Sequence, residues 1–396
     1  MRILVVDDTL SVRLVLASLL RKWGHEIVEA ADGEAAWRIL ENDPVRLVIS
    51  DWMMPELDGP GLCRRIRGAD FDEYIYIILL TSRDDESDLV EGMSAGADDF
   101  VTKPFSRNEL EVRIKAGIRV LELQARLARN NRELSEALGI VRRDLEAAAR
   151  TQFNLLPESA ARFGSARFDW LYCPSTYIGG DFIGYFALDD HRVAFYIIDV
   201  SGHGVPSALI SATLSKYITP DFCRHAARDI AAGDDDAPAR VVSLLNREFQ
   251  NHGDDDFYFT MLYGVHDHRN GETRLCQAAH PCPLLLRRDG QVRELGDGGM
   301  PVAMLDFASY ESFGVTLQPG DRLILYSDGV TECASQSGEL YGEERFRAFL
   351  SRNFQSASSD ILDTLRTELE HWSGGEGFGD DVSVLALEYD RVSGVA

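Results

Sequence analysis

Over residues 1–117 the apolar positions fall in short unbroken runs: ILVV at 3–6, LVIS at 47–50, YIYIILL at 74–80 and the DDFVT segment at 98–102. Between them, apolar residues recur at helical spacing. Continuous β-branched runs alternating with amphipathic helices predict a parallel sheet covered on both faces, a doubly wound five-stranded α/β unit. From Ile118 to Arg150 the period changes. Gly139 is the single glycine or proline there, and Val120, Leu123, Leu127, Leu134, Val141, Leu145 and Ala148 recur near a seven-residue repeat. That pattern predicts one long helical linker over 118–150, with an apolar stripe suited to the same helix of a second chain in a parallel homodimer. Asn130 falls on the stripe, where it either fixes register as a buried amide or marks a point where the helices splay.

After Leu155-Leu156-Pro157 the pattern turns to strand-length runs separated by turns: HRVAFYIIDV, FYFTMLYGVH, ETRLCQAA, DRLILYSDG and DDVSVLALEY. Helical stretches are expected after residues 205, 238, 343 and 358, which makes 151–390 a second, α+β domain. The acidic triplets at 234–236 and 254–256 are read as solvated loop.

Composition changes this picture in two ways. Sixty-five acidic against 40 basic residues give a formal charge of −25, which repels nucleic acid and anionic lipid and favours hard divalent cations. The six cysteines form no CxxC pair and are read as reduced thiols. No apolar run approaches the ~20 residues of a membrane span. The expected location is the cytoplasm.

The candidate chemistry sits at the strand ends. VVDD places Asp7 and Asp8 at the carboxyl edge of the first strand, and DWMMP places Asp51 at another. Two further strands end at Thr81 and Lys103, so four strand ends converge where open α/β sheets expose their sites. Phosphorylation of a carboxylate needs a divalent ion to offset charge and donors for the phosphoryl oxygens. Asp8 and Asp51 would hold Mg²⁺ with Asp7 reaching it through water, and the Met53 carbonyl would add a ligand. Thr81 would supply a hydroxyl, Lys103 a positive charge, and Asp51 the nucleophile. A single strand-terminal Asp or Lys is an ordinary loop residue; five matched in order are not. The segment resembles the receiver family of two-component systems across VVDD, DWMMPELDG, TS and KPF. The resemblance implies a switch in which Thr81 turns toward the phosphoryl group and Phe100 follows it inward, and a histidine kinase as phosphodonor.

A second constellation comes after the linker. GGDF gives Asp181, DVSGHG gives Asp199, YSDGVTE gives Asp328 and GDDVSVL gives Asp380 and Asp381. Paired-metal phosphoester hydrolysis requires several carboxylates from separate segments, and an all-oxygen donor set selects Mn²⁺ or Mg²⁺ over zinc. With QFNLLP, FTML, AAHPCPLLL and GGMPVAML, these motifs resemble the PPM (PP2C-type) serine/threonine phosphatases, in their SpoIIE and sigma-B regulator branch. The resemblance implies a β-sandwich flanked by helices, and two metal ions bridged by Asp199. The Val200 carbonyl, Asp181, Asp328 and Asp380 would complete the set, with Asp381 ranked behind Asp380. His203, in a Gly-His-Gly turn, is either a general acid or a residue that shapes the turn. Arg167 and Arg192 are read as surface charge. Relatives often carry another acidic residue soon after GGDF; here Gly184 stands near that place, so an accessory metal contact is expected to be missing.

Together the motifs describe an input, a rod and an output. The resemblance implies that Asp51 phosphorylation controls a phosphatase acting on a phosphoserine or phosphothreonine protein, such as an anti-sigma factor antagonist in a partner-switching pathway. Two other outputs fit less well. A catalytically weak adaptor that uses the phosphatase-like fold to bind a sigma factor or regulator protein tends to lose the carboxylates, which are present here, and a DNA-binding output would need a basic helix.

Overall fold

The computed structural model describes residues 1–82, 86–226, 236–250, 257–375 and 377–390. Contacts divide the chain into two compact units, Met1–Ile140 and Val141–Ala396.

In the first unit the elements run in order as β1 (Arg2–Val6), α1 (Leu10–Lys22), β2 (Glu26–Ala30), α2 (Gly33–Asn42), β3 (Leu47–Asp51), α3 (Gly59–Gly68), β4 (Tyr76–Thr81), α4 (Glu86–Ser94), β5 (Asp99–Thr102) and α5 (Arg107–Phe153). The strands form one parallel sheet in the order β2-β1-β3-β4-β5. Alternate residues of the apolar runs face opposite layers. Leu4, Val6, Val48, Ile77 and Leu79 point to one core, and Ile3, Val5, Ile49, Ile78 and Leu80 to the other. This two-sided burial is why the runs are continuous rather than alternating. Side-chain caps start the neighbouring helices: Asp32 accepts from Ala35 N at 2.7 Å and Asp58 from Gly61 N at 2.7 Å.

The long helix begins at Arg107, eleven residues before the expected Ile118, because Leu110, Ile114 and Leu121 are core residues of the sheet unit. Gly117 does not stop it. A Cβ there would lie 2.7 Å from the Tyr76 ring, so this glycine serves close packing and not a boundary. Farther along, Leu123, Leu127, Leu134, Leu138 and Val141 stand exposed. That helix is 47 residues long, and no helix among the described residues is long and apolar enough to cross a membrane.

The second unit holds two antiparallel sheets. Its strands are β6 (Ala161–Phe163), β7 (Ala166–Cys173), β8 (Phe182–Ala187), β9 (Arg192–Val200), β10 (Phe259–Asp267), β11 (Glu272–Ala278), β12 (Leu284–Leu286), β13 (Val292–Glu294), β14 (Ser312–Thr316), β15 (Arg322–Tyr326) and β16 (Val382–Tyr389). Its helices are α6 (Val205–Tyr217), α7 (Pro220–Ala226), α8 (Ala237–Phe249), α9 (Asp328–Thr331), α10 (Gly342–Arg352) and α11 (Ser358–Trp372). Sheet order is β14-β11-β10-β9-β8 in one and β13-β12-β15-β16-β7-β6 in the other.

Three cores stack through this unit. Between the sheets lie Phe168, Ile183, Phe195, Ile197, Leu262, Leu323, Leu325 and Leu385. Outside one sheet, Ala194, Tyr196, Ile198 and Val200 pack with residues of α6 and α8. Outside the other, Ile324, Tyr326 and Val384 pack with residues of α10 and α11. The result is a helix-covered β-sandwich. Expected helices after 205, 238, 343 and 358 are all present, and α7 and α9 are additional. Of the acidic triplets, Asp236 precedes α8, while 234–235 and 254–256 lie outside the described residues.

Candidate functional site

In the first unit, Asp7 follows β1, Asp51 ends β3, Thr81 ends β4 and Lys103 follows β5, all at one edge of the sheet. Asp7 and Thr81 are fully buried, Asp51 is half-buried and Asp8 is exposed. Carboxylate oxygens of Asp7, Asp8 and Asp51 lie within 4.8 Å of one another, a spacing one cation can span. Lys103 Nζ bridges Asp7 Oδ2 at 2.9 Å and Asp51 Oδ1 at 2.8 Å. Burial raises the Asp51 carboxyl above its ordinary value, and the Lys103 hydrogen bond offsets this only in part. Burial opposes the Lys103 charge, yet the bonds to Asp51 and Asp7 hold its pKa above that of an ordinary lysine.

The loop around Asp51 is built tightly. A Cβ on Gly59 would lie 2.4 Å from the Asp51 carbonyl, so the DG of DWMMPELDG is a packing requirement. Met53 is exposed on this loop, and Phe100 packs half-buried against the core that contains Trp52. Arg13 was not singled out from the sequence. Its Nη1 donates to the carbonyls of Asp7 at 2.7 Å and Asp8 at 3.2 Å, tying α1 to the acidic loop.

The second site arises from strand parity. Along β9, Val193, Phe195 and Ile197 face the space between the sheets, so Asp199 continues that face at the strand end. The same parity carries Asp181 next to Ile183, Thr260 next to Leu262, Ser327 next to Leu325, and Asp381 and Ser383 next to Leu385. At one mouth of the sandwich the apolar filling therefore gives way to carboxylates and hydroxyls from both sheets. Thr260 is the cross-strand partner of Asp199, and its hydroxyl shares a 2.8 Å hydrogen bond with His280 Nδ1.

The glycines of the motifs are required by close approach. A Cβ on Gly180 would lie 2.8 Å from the Val200 carbonyl, one on Gly179 2.3 Å from Asp381 Oδ2, and one on Gly329 2.1 Å from the Asp381 carbonyl. Asp181 is 1% exposed, and its Oδ2 has no hydrogen-bond partner among the described residues. Burial, then the charge of Asp199, holds its carboxyl far above the usual range. Burial, followed by the charges of Asp328, Asp380 and Asp381, pushes Asp199 up to about 7. Burial and Asp380 also raise Asp328. A buried, unpartnered carboxylate oxygen among mutually repelling carboxylates fits the charge of divalent cations.

Asp380 and Asp381 differ. Asp380 is exposed, and its Oδ1 accepts only a local bond, from Asp381 N at 2.7 Å. Asp381 is buried and structural, accepting Ser175 N at 2.7 Å, Ser175 Oγ at 2.9 Å and Gly180 N at 2.6 Å. His203 is exposed between Gly202 and Gly204, whose φ values of 87° and 83° make that turn. Gly184 lies on the opposite face of β8 from Asp181, against the Tyr196 ring, where a Cβ would come within 2.3 Å. A side chain at 184 would thus point away from the mouth. Arg167 and Arg192 pair with Asp169 at 2.9 Å and Asp189 at 2.7 Å.

Residues 189–390 match the family described as Stage II sporulation protein E (SpoIIE), about half of the chain, and residues 3–115 match the response regulator receiver domain. The chain belongs to the SpoIIE family. Its SpoIIE-type unit is preceded by a receiver, which makes it a response regulator with a phosphatase-like output. It is similar to "Protein IcfG" of Synechocystis sp., 30% identical over 267 residues that cover 63% of this chain and 42% of that protein. The receiver is similar to "Probable transcriptional regulator ycf27" of Cyanophora paradoxa, 46% identical over 121 residues, 31% of this chain and 49% of the relative. The chain thus spans about half the length of these curated relatives. Among solved structures, the SiaA-PP2C domain of Pseudomonas aeruginosa shares the fold of the SpoIIE-type unit. It aligns at a TM-score of 0.55 and 21% identity over 64% of this chain and 99% of that one. A fold of this type carries a general dependence on divalent metal.

Proposed function

We propose that this protein is a two-component response regulator in which phosphorylation of Asp51 controls a metal-dependent protein serine/threonine phosphatase. The observation that carries the reading is the mouth of the sandwich, where carboxylates from separate segments act on one another. Burial, with the charge of Asp199 on Asp181, of Asp328 and Asp380 on Asp199 and of Asp380 on Asp328, raises all three carboxyls, Asp199 up to about 7. These residues and the Val200 carbonyl would hold two Mn²⁺ or Mg²⁺ ions, which would supply charge neutralisation and an activated water for in-line attack on a phosphoester.

The chain's own groups set that chemistry up. Asp199 stands close enough to feel the charge of Asp328, and Asp181 that of Asp199; by the family resemblance Asp199 would be the carboxylate shared between the two ions. Asp381 locks the Gly180 loop that carries Asp181. Exposed Asp380 and His203 face solvent, where a phosphoserine or phosphothreonine protein arrives. The substrate class proposed is an anti-sigma factor antagonist.

In the receiver, an Asp51 carboxylate oxygen attacks the phosphorus of a phosphohistidine donor, forming an acyl phosphate as the P–N bond breaks and the donor's imidazole leaves. Asp7, Asp8, Asp51 and the Met53 carbonyl would hold a Mg²⁺, which would offset the charge. Lys103 lies 2.8 Å from Asp51 and Thr81 stands at the same sheet edge, placed to receive the phosphoryl oxygens; Phe100 follows Thr81 in the switch. The exposed stripe of α5, from Leu123 to Val141, pairs with a second copy in a cytoplasmic homodimer.

The test is phosphate release from a phosphoserine-bearing antagonist protein in Mn²⁺, for wild type, for wild type with EDTA, and for Asp199→Ala. Release by wild type in Mn²⁺ alone supports the reading. Binding of the antagonist without any release would mark the unit as an adaptor.

A further inference from the structure

A histidine lies buried at the acidic mouth of the SpoIIE-type unit. His280 is 2% exposed, and its Nδ1 shares the 2.8 Å hydrogen bond with the hydroxyl of Thr260. Its Nε2 has no hydrogen-bond partner among the described residues, and the backbone acceptor beside the ring is the Tyr326 carbonyl. Thr260 belongs to β10 in one sheet and Tyr326 to β15 in the other. Thr260 is the cross-strand partner of Asp199, and Tyr326 leads directly into Ser327 and Asp328. The ring thus stands between the residue across from Asp199 and the strand that delivers Asp328.

The chain is bent to put it there. Ala279 adopts φ 54°, the left-handed region that favours glycine, and its N–H donates to the Gly298 carbonyl at 3.0 Å. The buried Gln277 side chain donates from Nε2 to the His280 carbonyl at 2.6 Å. Its Oε1 accepts from the N–H groups of Asp297 and Gly298 at 3.1 and 3.0 Å. A hydrocarbon of the same size would fill the place without leaving a nitrogen unpaired, so packing alone does not account for the ring.

Burial lowers the His280 pKa from 6.5 to about 3, so the imidazole is neutral at physiological pH. With a carbonyl beside Nε2, the tautomer that carries its proton there is favoured, and Nδ1 accepts the Thr260 hydroxyl proton. The side chain directly across from Asp199 is then held in one orientation. Cross-strand neighbours of this kind stand close enough for each to limit the other.

We propose that His280 is a positioning residue for the cation site of the SpoIIE-type unit: acting through Thr260, it fixes the side chain across from Asp199 and so the place of the Asp199 carboxylate relative to Asp328. The inference rests on the phosphatase reading of the acidic mouth, and adds a residue outside the carboxylate set on which cation affinity depends.

The experiment is Mn²⁺ binding, without substrate, by the full chain carrying Asp8→Asn to disable the receiver's own cation site. Free Mn²⁺ is read by electron paramagnetic resonance, and melting is recorded in EDTA. His280→Leu, Thr260→Val and the pair are compared in that background. Each single change is expected to weaken Mn²⁺ binding at least about tenfold, and the pair no more than about twofold beyond the weaker single variant, because His280 acts through Thr260. Thr260→Ser, which keeps the hydroxyl, should bind within about threefold of the parent. Losses that multiply in the pair would overturn the inference. So would binding by either single variant within about twofold of the parent, whatever its melting temperature does. If His280→Leu does not fold, the near-isosteric Thr260→Val decides by the same limit. Absence of Mn²⁺ binding in the Asp8→Asn parent would instead overturn the phosphatase reading and this inference with it.

Discussion

Asp381 accepts the backbone N–H of Gly180 at 2.6 Å, across 201 residues of chain. Its other oxygen takes the N–H and the hydroxyl of Ser175, so this carboxylate is fully engaged in holding two loops. Its neighbour Asp380 is exposed and holds only the next amide. Substituting the two should separate stability from activity. Asp381→Ala strands two N–H groups and is expected to cost on the order of 3 kcal/mol, together with loss of turnover. Asp380→Ala is expected to change stability by less than about 0.5 kcal/mol and to reduce Mn²⁺-dependent turnover at least a hundredfold. Thermal melts beside phosphate release check this, and equal destabilisation by both would sink it.

Crowded carboxylates that await a cation destabilise the metal-free fold. Asp199 faces the charges of Asp328, Asp380 and Asp381 in a buried setting. Asp199→Asn removes one of those charges at little change in shape. In EDTA at pH 8 the variant should be more stable than wild type by roughly 1–3 kcal/mol, while Mn²⁺ no longer raises its melting temperature as it does for wild type. A lower melting temperature in EDTA would contradict this.

Acid stability should depend on His266. The ring is buried, with Nδ1 paired to Thr273 Oγ1 at 2.8 Å and Nε2 unpartnered. Burial, with His268 nearby, lowers its pKa from 6.5 to about 4. The unfolded chain therefore binds a proton that the folded one refuses. The contribution is fully present above pH ~6.5 and is lost as pH falls toward 4, up to about 3 kcal/mol at ~1.4 kcal/mol per pH unit. Denaturant melts at pH 7.5 and 4.5 should show His266→Gln losing less stability than wild type over that interval; an identical loss would exclude this histidine.

In the loop after Asp51, Glu56 adopts φ 68°, the left-handed region that favours glycine. Relief of ~1–2 kcal/mol of strain outweighs the ~0.5–1 kcal/mol of added chain entropy. Glu56→Gly should thus raise receiver stability by up to about 1 kcal/mol, read from the receiver's unfolding transition. A drop would mean that the Glu56 side chain makes a compensating contact.

The receiver was legible because its chemistry sits where runs end: VVDD, SDW and LLTS each mark a strand and its exposed edge in a few adjacent letters. The sandwich motifs were legible in the same way, as Asp beside Gly. Three things were not. The start of α5 was displaced because Leu110 and Ile114 serve the sheet while the same helix continues past Gly117, which packs against Tyr76. The division of labour between Asp380 and Asp381 depends on partners about 200 residues away, which adjacency cannot show. The grip of Gln152 on Gly179 depends on a loop 27 residues downstream, so the QFNLLP motif gave a place and no contact.

In the proposed reading, one chain couples Asp51 to the acidic mouth of the SpoIIE-type unit. The decisive experiment is the initial rate of Mn²⁺-dependent phosphate release from a phosphoserine protein, with and without acetyl phosphate, for wild type and Asp51→Asn. Coupling requires a rate that changes with acetyl phosphate in wild type and stays constant in Asp51→Asn. Equal rates in wild type with and without the phosphodonor, at confirmed Asp51 phosphorylation, would refute it.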